Sequence, residues 1–406
     1  MHSFLDELHN IETALAKNRV EYVDGIHHEG LGDVLLTGAT GFLGIHVLYD
    51  LLKNTSAKIF AFIRKGKMSS AKERLKNIFI YYFNASPEKV FDERITVIDG
   101  DIPNVDSVNS LMMYPFKTLI NCAACVKHFA SDESLTKINV EGVQNLINLC
   151  VNKNARLIQI STISVAGDNV DNRLLTSEKL CENKFYIGQE VTTNKYVYSK
   201  FQAEEIILSA IGQGKLDAKI MRVGNLMSRI SDGEFQINFA TNAFMRDWRS
   251  FAALGKFPVS LMDETTELSP IDETANMIVQ LADTNKKFTV YHVVNSHLIQ
   301  MGDIVHSTNE YGIKIDVVTD KEFDAALIEA MQDEDKNLLV SNLIAYNEDK
   351  NHTFEEVDHE DIFTIKALYR LNCRWSITDD KYIKNAVKAL DTLGFFEGKL
   401  TSENGN

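Results

Sequence analysis

Thr37-Gly38-Ala39-Thr40-Gly41-Phe42-Leu43-Gly44 sits between a short apolar run, Val34 to Thr37, and a stretch of helical periodicity from Phe42 to Lys53. A strand that turns into a helix through three glycines admits few architectures. The glycines let the backbone turn tightly and approach a ligand, while the helix N-terminus aims free N–H groups and the positive end of its dipole at the same point. A diphosphate suits such a turn, and a parallel α/β sheet is the frame that usually supplies it. Thr37, Gly38, Thr40, Gly41, Phe42, Leu43 and Gly44 are therefore the candidate pyrophosphate-binding residues. The competing reading is a tight turn with no ligand.

The chain on either side agrees with that frame. Strand candidates at Val34–Thr37, Lys58–Ile63, Ile95–Ile98, Thr118–Cys122, Arg156–Ile160, Ala218–Met221 and Thr289–Val294 alternate with helical periodicity at 42–53, 70–82, 134–152 and 196–211. Such alternation predicts βαβ units and a doubly wound parallel (Rossmann) sheet. After about Ser231 it gives way to Phe- and Met-bearing helical segments separated by acidic loops, which predicts a smaller, mainly helical C-terminal substrate domain. The expected organisation is a leader or linker over 1–30, with an amphipathic helix from Phe4 to Lys17, and a dinucleotide-binding domain over 31–230. A strand near 286–296 returns to the sheet, and the helical domain covers 231–285 and 297–402. The polar tail from Thr401 to Asn406 reads as disordered.

The 406 residues carry a formal charge of −15 with no compensating basic stripe, which argues against nucleic acid as a partner. No run approaches the roughly 18 apolar residues that span a bilayer, and the N-terminus has no signal-type pattern, so a cytoplasmic protein that does not enter the membrane is expected. Five cysteines in a chain of this length read as reduced thiols. Cys122-Ala-Ala-Cys125 has no second pair and follows a strand, so it reads as cofactor wall rather than a redox or zinc site. His352 and His359, scattered among carboxylates, make no metal site, and no metal is expected.

The second strand candidate ends at Arg64, where an Asp or Glu would bind the ribose 2′-hydroxyl of NAD. A guanidinium cannot accept that hydrogen bond but pairs well with a 2′-phosphate. Lys65, Lys67, Lys72 and Arg74 add charge nearby, so NADPH is the expected cofactor. Asp101 and Ile102 after the third strand, and Ala123 and Ala124 after the fourth, should line the cofactor crevice, with Asp101 and Ile102 flanking the adenine.

Tyr196 and Lys200 are four residues apart and share one face of a helix, whereas Tyr198 has Gln202 in the corresponding place. A free phenol titrates at about 10, and an ammonium beside it, with a positive nicotinamide, would favour the phenolate. Thr162, at the end of the preceding strand, is the expected second donor to a substrate oxygen. Thr162, Tyr196 and Lys200 form the candidate catalytic set.

These motifs, with Ile138-Asn139-Val140-Glu141-Gly142, resemble the extended short-chain dehydrogenases. Arg222-Val223-Gly224-Asn225-Leu226, Ser231 through Asn238 and Leu268-Ser269-Pro270-Ile271-Asp272 resemble, within them, the terminal thioester reductase domains of nonribosomal peptide synthetases, with an aureusimine-like pyrazinone dipeptide synthetase as one candidate parent. The resemblance runs from about Asp33 to Lys399 and adds Val223, Gly224 and Asn225 to the cofactor set. It implies a phosphopantetheinyl carrier, in cis or in trans, presenting a peptidyl or acyl thioester between two lobes. NADPH would reduce the thioester, Thr162 and Tyr196 would hold the oxyanion, and Lys200 would bind the nicotinamide ribose. The product would be an aldehyde or, after a second hydride, an alcohol.

No carrier motif precedes Asp33, so the chain reads as a piece of a longer synthetase or as one served in trans. Phe239, Phe244, Met245, Trp248 and Trp375 read as core of the helical domain more readily than as a channel. Two alternatives share the fold: a carbonyl reductase or sugar-nucleotide enzyme, against which Arg64 and the large helical domain count, and a dinucleotide sensor, which would not need the Tyr/Lys pair.

Overall fold

The computed structural model describes residues 2–66, 69–84, 91, 93–126, 132–170, 174, 178–237, 243–333, 337, 339–340, 343 and 355–396. Its central feature is a seven-stranded parallel sheet: β1 (Val34–Thr37), β2 (Ile59–Ile63), β3 (Ile95–Asp99), β4 (Thr118–Asn121), β5 (Arg156–Thr162), β6 (Ala218–Val223) and β7 (Val290–Val293), in the order β7-β6-β5-β4-β1-β2-β3. The central strands β1, β2 and β4 are buried at every position, as expected where helices cover both faces. Edge strand β3 keeps only Ile95 and Ile98 fully buried. The fold class is thus the one the alternating pattern predicts.

Among the crossover helices are α2 (Phe42–Asn54), α3 (Ala71–Phe83), α4 (Gly142–Lys153) and α5 (Lys195–Gly212). Each boundary has a local cause. Ser70 and Glu73 close a reciprocal capping box at the start of α3, and left-handed Asn84 and Asn154 end α3 and α4. Ahead of α4 the helix predicted over 134–152 is interrupted: Thr136–Glu141 is a π turn. The extra residue in that turn swings Asn139 inward, where its amide bonds the main chain of Cys125.

Chain order reverses beside β1, since β2 lies on one side of it and β4 on the other. In sheets of this order such a switch point, at the carboxyl ends of the strands, is where ligands bind.

Contacts divide the chain into two units. The first comprises Met1–Gly224, Thr274–Val294 and Glu355–Arg374, and so differs from the segments inferred from sequence. The N-terminal stretch read as a leader is part of its core. Helix α1 (His2–Leu15) buries Ile11, Ala14 and Leu15 in one cluster with Ile207 and Leu208 of α5. Asn18 then accepts from the N–H of Thr289 at 2.9 Å and donates to the carbonyl of Val290, tying the N-terminus to β7. Residues 355–374, assigned from sequence to the helical domain, also belong here. Glu355–Glu356 pairs antiparallel with Asp168–Asn169, and Thr364 accepts from the N–H of His292 at 2.8 Å.

The second unit, Asn225–Glu273, Asn295–Phe354 and Trp375–Asn406, contains the helices Ala243–Leu254, Met301–Tyr311, Asp320–Met331 and Asp380–Thr392. Three short strand pairs accompany them: 226–227 with 269–270, 256–258 with 316–318, and 265–267 with 298–300. Its core gathers Phe251, Phe257, Val305, Ile315, Phe323 and Leu327. Among the described residues no helix is long and apolar enough to cross a membrane.

Helices α1 and α5 meet at Gly212, where a Cβ would lie 1.9 Å from the carbonyl oxygen of Asn10. Gly212→Val should force them apart and cost about 1–3 kcal/mol, read as a lower Tm by calorimetry. An unchanged Tm would show that α1 does not rest on α5.

Candidate active site

The glycine turn is shaped by close approach of backbones. Gly38 has φ +69°, and a Cβ on it would lie 2.5 Å from the main-chain nitrogen of Ala123 in the loop after β4. A Cβ on Gly44 would lie 2.1 Å from the carbonyl oxygen of Gly38. Both positions therefore exclude any side chain. Gly41 is less confined, with its nearest neighbour 3.3 Å from a built Cβ, and it serves as the N-cap of α2 while its N–H bonds the Gly38 carbonyl at 2.9 Å. The result is a narrow cradle at the start of α2, at the switch point, of the shape a pyrophosphate requires.

Thr37 is fully buried and donates its hydroxyl to Asn121 at 2.5 Å. Asn121 donates in turn to Gln159 at 2.8 Å and accepts from the N–H of Ala123 at 3.2 Å. This row of amides across β1, β4 and β5 makes Thr37 a support of the cradle rather than a group open to it. Leu43 is buried, and Phe42 packs edge-on against His46 at 5.1 Å. Among the predicted cradle residues, Phe42 and Leu43 thus offer main-chain N–H groups, and half-buried Thr40 can also offer its hydroxyl.

Arg64 follows β2 and is exposed, while Arg74, on the second turn of α3, is half-buried. Burial, and then the charge of Arg64, hold the Arg74 guanidinium below its ordinary pKa. Two cations that repel each other make a receptive place for a dianion. Lys65 and Lys72 are exposed, and Lys67 lies outside the described residues. Asp101 is half-buried, but Ile102 is not available as a side chain: it is 3% exposed, lies in the core against Gly142, and its carbonyl accepts from Asn145 at 3.0 Å. Ala123 and Ala124 are half-buried beside Gly38. Val223 ends β6 and the N–H of Gly224 reaches the carbonyl of Val293 at 3.3 Å. Asn225 opens the second unit, its N–H donating to the Glu267 carboxylate.

Helix α5 carries the candidate pair, Tyr196 and Lys200. Asn194 caps it, accepting from the N–H of Tyr196 at 3.0 Å and of Val197 at 3.3 Å, which places Tyr196 in the first turn. Lys200 is 3% exposed, donates to the carbonyl of Ile160 on β5 at 3.0 Å, and lies 5.9 Å from the centre of the Tyr196 ring. Thr162 lies two residues further along β5, 8% exposed, with its hydroxyl 3.1 Å from that of Ser164. The bond from Lys200 to β5 thus gathers the pair and Thr162 at the carboxyl end of one strand. Tyr198 points elsewhere, 40% exposed.

Burial dominates the electrostatics of the pair. Tyr196 is half-buried as a residue, but its hydroxyl is deep, and burial first, then Cys125, push its pKa up to about 12. Lys200 is pushed down to about 8 by burial, against the raising influence of Glu204 and Cys122. For Tyr196 desolvation is the leading influence, and it favours the neutral phenol. A neutral phenol is the form that donates a proton.

Three contributors escaped the sequence reading. Asn139, 2% exposed, accepts from Cys125 N–H at 2.8 Å and donates to the Cys125 carbonyl at 3.0 Å and to Ser199 at 2.9 Å. It clamps the wall after β4 to the catalytic helix. Asn194 and the buried Glu204–Arg222 pair are the others; a cap residue before a helix is a legible signal, whereas a long-range ion pair is not. All five cysteines are free, and burial pushes the Cys122 thiol up to about 12, which suits a wall and not a redox centre. Met245, Trp248 and Trp375 are buried in the second unit; Phe239 and His352 lie outside the described residues. Among the described residues no three His, Cys, Asp or Glu side chains gather as a metal site.

Residues 36–278 match the NAD-binding family described as "Male sterility protein". A solved thiolation-reductase di-domain from an archaeal non-ribosomal peptide synthetase is similar, with a TM-score of 0.87 and 36% identity over 96% of this chain and 81% of that one. The reductase domain of the aureusimine biosynthetic cluster has a TM-score of 0.77 and 27% identity, covering 96% and 98% of the two chains. A linear gramicidin synthase of Brevibacillus parabrevis is 27% identical over 322 residues, which are 75% of this chain and 6% of that synthase. The chain therefore spans only a small part of that relative's length.

The contact between Gly44 and Gly38 makes the cradle testable. Gly44→Ala should open the turn and weaken dinucleotide binding about tenfold or more, measured by fluorescence titration, while α5 and its neighbours stay folded. Wild-type affinity in that variant would show that the turn does not hold the ligand.

Proposed function

Because this chain belongs to the family described as Male sterility protein, and with it to the reductase domains of nonribosomal peptide synthetases, we propose that it releases a peptidyl or acyl thioester from a phosphopantetheinyl carrier by reduction with NADPH. The observation that carries this reading is geometric: Tyr196, set in the first turn of its helix by the Asn194 cap, lies one helical turn from Lys200, which is seated on the Ile160 carbonyl, on a strand-and-helix frame whose switch point holds a cradle free of side chains. The cradle residues and the N-terminus of α2 fit the pyrophosphate, and Arg64 with Arg74 fits a 2′-phosphate. Asp101, Ala123, Ala124, Val223, Gly224 and Asn225 complete the cofactor set in this reading. The bound nicotinamide supplies a hydride to the thioester carbonyl.

The chain's own residues handle the oxygen. Tyr196 and Thr162 donate to the carbonyl oxygen as charge develops on it, and preorganised donors in a dry site are each worth about 10²–10³ in rate. Thr162 can serve because its hydroxyl rotates away from Ser164 without leaving a buried donor unpaired. The Tyr196 proton passes to the former carbonyl oxygen, giving a hemithioacetal. Collapse of that species breaks the C–S bond and moves the same proton towards the departing sulfur, so that aldehyde and carrier thiol leave. Tyr196 regains a proton from solvent, and with a second NADPH a second round on the aldehyde would give the alcohol. Lys200 binds the nicotinamide ribose with the ammonium hydrogens that Ile160 does not use. The carrier is a separate domain in cis or in trans, and free thiols suit a cytoplasmic setting.

The deciding assay follows NADPH consumption with a peptidyl-phosphopantetheine thioester and, in parallel, with a sugar nucleotide. Consumption with the thioester is expected; turnover of only the sugar nucleotide would end this reading. Tyr196→Phe should lower turnover about 10²–10⁴-fold with NADPH affinity nearly unchanged, and full activity would remove Tyr196 from the mechanism. Arg64→Asp should raise the KM for NADPH and move preference toward NADH, whereas an unaltered ratio of the two kcat/KM values would dismiss Arg64 as the phosphate reader.

A further inference from the structure

Arg222 begins the motif Arg222-Val223-Gly224, yet nothing in the chemistry above uses it. On β6 it is among the largest fully buried side chains. It grips Glu204 of α5 through Nε, 3.1 Å from both carboxylate oxygens, and through Nη2, 2.7 Å from Oε2; both side chains are 0% exposed. Nη1 and Nη2 also donate to the carbonyl of Lys184 at 3.3 Å, and Nη1 to Nε2 of His292 on β7 at 3.1 Å. His292 donates Nδ1–H to the carbonyl of Glu360 at 2.8 Å, which leaves Nε2 as acceptor, and burial, Arg222 and His359 keep the ring neutral. All five guanidinium hydrogens are thereby matched.

A buried ion pair of this kind is weak evidence for stability, since apolar residues of equal volume often do as well or better. Its placement points to another use. Glu204 is four residues beyond Lys200 and eight beyond Tyr196, on the same face of α5. An unpaired carboxylate this deep would be costly, and the Arg222 guanidinium pairs it, one helical turn from the ammonium of Lys200.

We propose that Glu204 and Arg222 are positioning residues for the reducing site: the pair holds a permanent carboxylate behind Lys200, which keeps the ammonium charged and seated on the carbonyl of Ile160. This rests on the assignment of Lys200 to the cofactor ribose. The charges and dipoles facing Lys200 support it. They are Glu204 and Tyr196 on its own helix, Cys122 from the loop after β4, and the Ile160 carbonyl from β5. Glu204 is the foremost of these in opposing the downward push of burial. The sign follows directly. Lys200 is charged below about 8 and loses its charge as pH rises through that value, and removing Glu204 takes away a raising influence, so the loss moves to lower pH.

NADPH binding to the full chain, followed by nicotinamide fluorescence across neutral and alkaline pH, reads this without any thioester. Wild-type affinity should weaken above pH about 8. Glu204→Gln should bring that inflection down by about one pH unit, while Glu204→Asp should largely preserve it. Glu204→Gln alone strands a buried guanidinium, so the double variant Glu204→Gln, Arg222→Met serves as the second test: Tm recovers, and the inflection stays displaced. A double variant that melts and titrates like wild type would reduce the pair to a structural role and overturn the proposal. So would a wild-type titration with no inflection near pH 8, an outcome that needs no variant to fold. Binding with an unmoved inflection sinks this inference alone. No NADPH binding at all sinks the functional reading with it.

Discussion

The backbone of Gly38 touches the backbone at Cys122 and Ala123, and much of the site depends on that contact. It brings the turn after β1 against the loop after β4 at the place where the sheet changes direction. No side chain can stand between them. The buried hydroxyl and amides of Thr37, Asn121 and Gln159 hold the strand ends in register behind the contact, so the cradle is supported by hydrogen bonds that water cannot reach. The wall that continues from Ala123 to Cys125 is then clamped by Asn139, whose π turn exists to deliver that amide.

Helix α5 brings the candidate site groups to the same end of the sheet. Along one face it carries Tyr196, Lys200 and Glu204, and Ser199 beside them links to Asn139. Burial disfavours charge on the first two: it pushes the Tyr196 phenol up to about 12 and the Lys200 ammonium down to about 8, the latter against the raising influence of Glu204. Arg222 and Glu204 supply the opposition. The site can thus be dry enough to strengthen its electrostatics without losing the charge of Lys200.

The frame around these groups comes from distant parts of the chain. Helix α1 lies on α5, Asn18 fastens β7, and residues 355–374 return to bond His292 and Glu182, with Thr364 donating its N–H to Glu182 at 2.8 Å. Each closure spends chain entropy that grows only slowly with loop length, so such long returns are tolerated when they bury enough apolar surface.

Patterns of local origin were legible in the sequence. Apolar runs four to six residues long became strands with boundaries close to those observed, because a strand covered on both faces is predominantly apolar. The glycine turn was legible because only glycine survives the approaches at positions 38 and 44, and the Tyr196–Lys200 spacing because helical geometry puts residues four apart on one face. What tertiary structure alone decided are the effects that join distant residues. These are the docking of α1, the membership of residues 355–374 in the first unit, the use of Ile102 as core, the meeting of Arg222 with Glu204, and the burial of Lys200. None has a sequence signature, since burial is set by which surfaces meet, and the cost of charge follows from burial rather than from the residue's own chemistry.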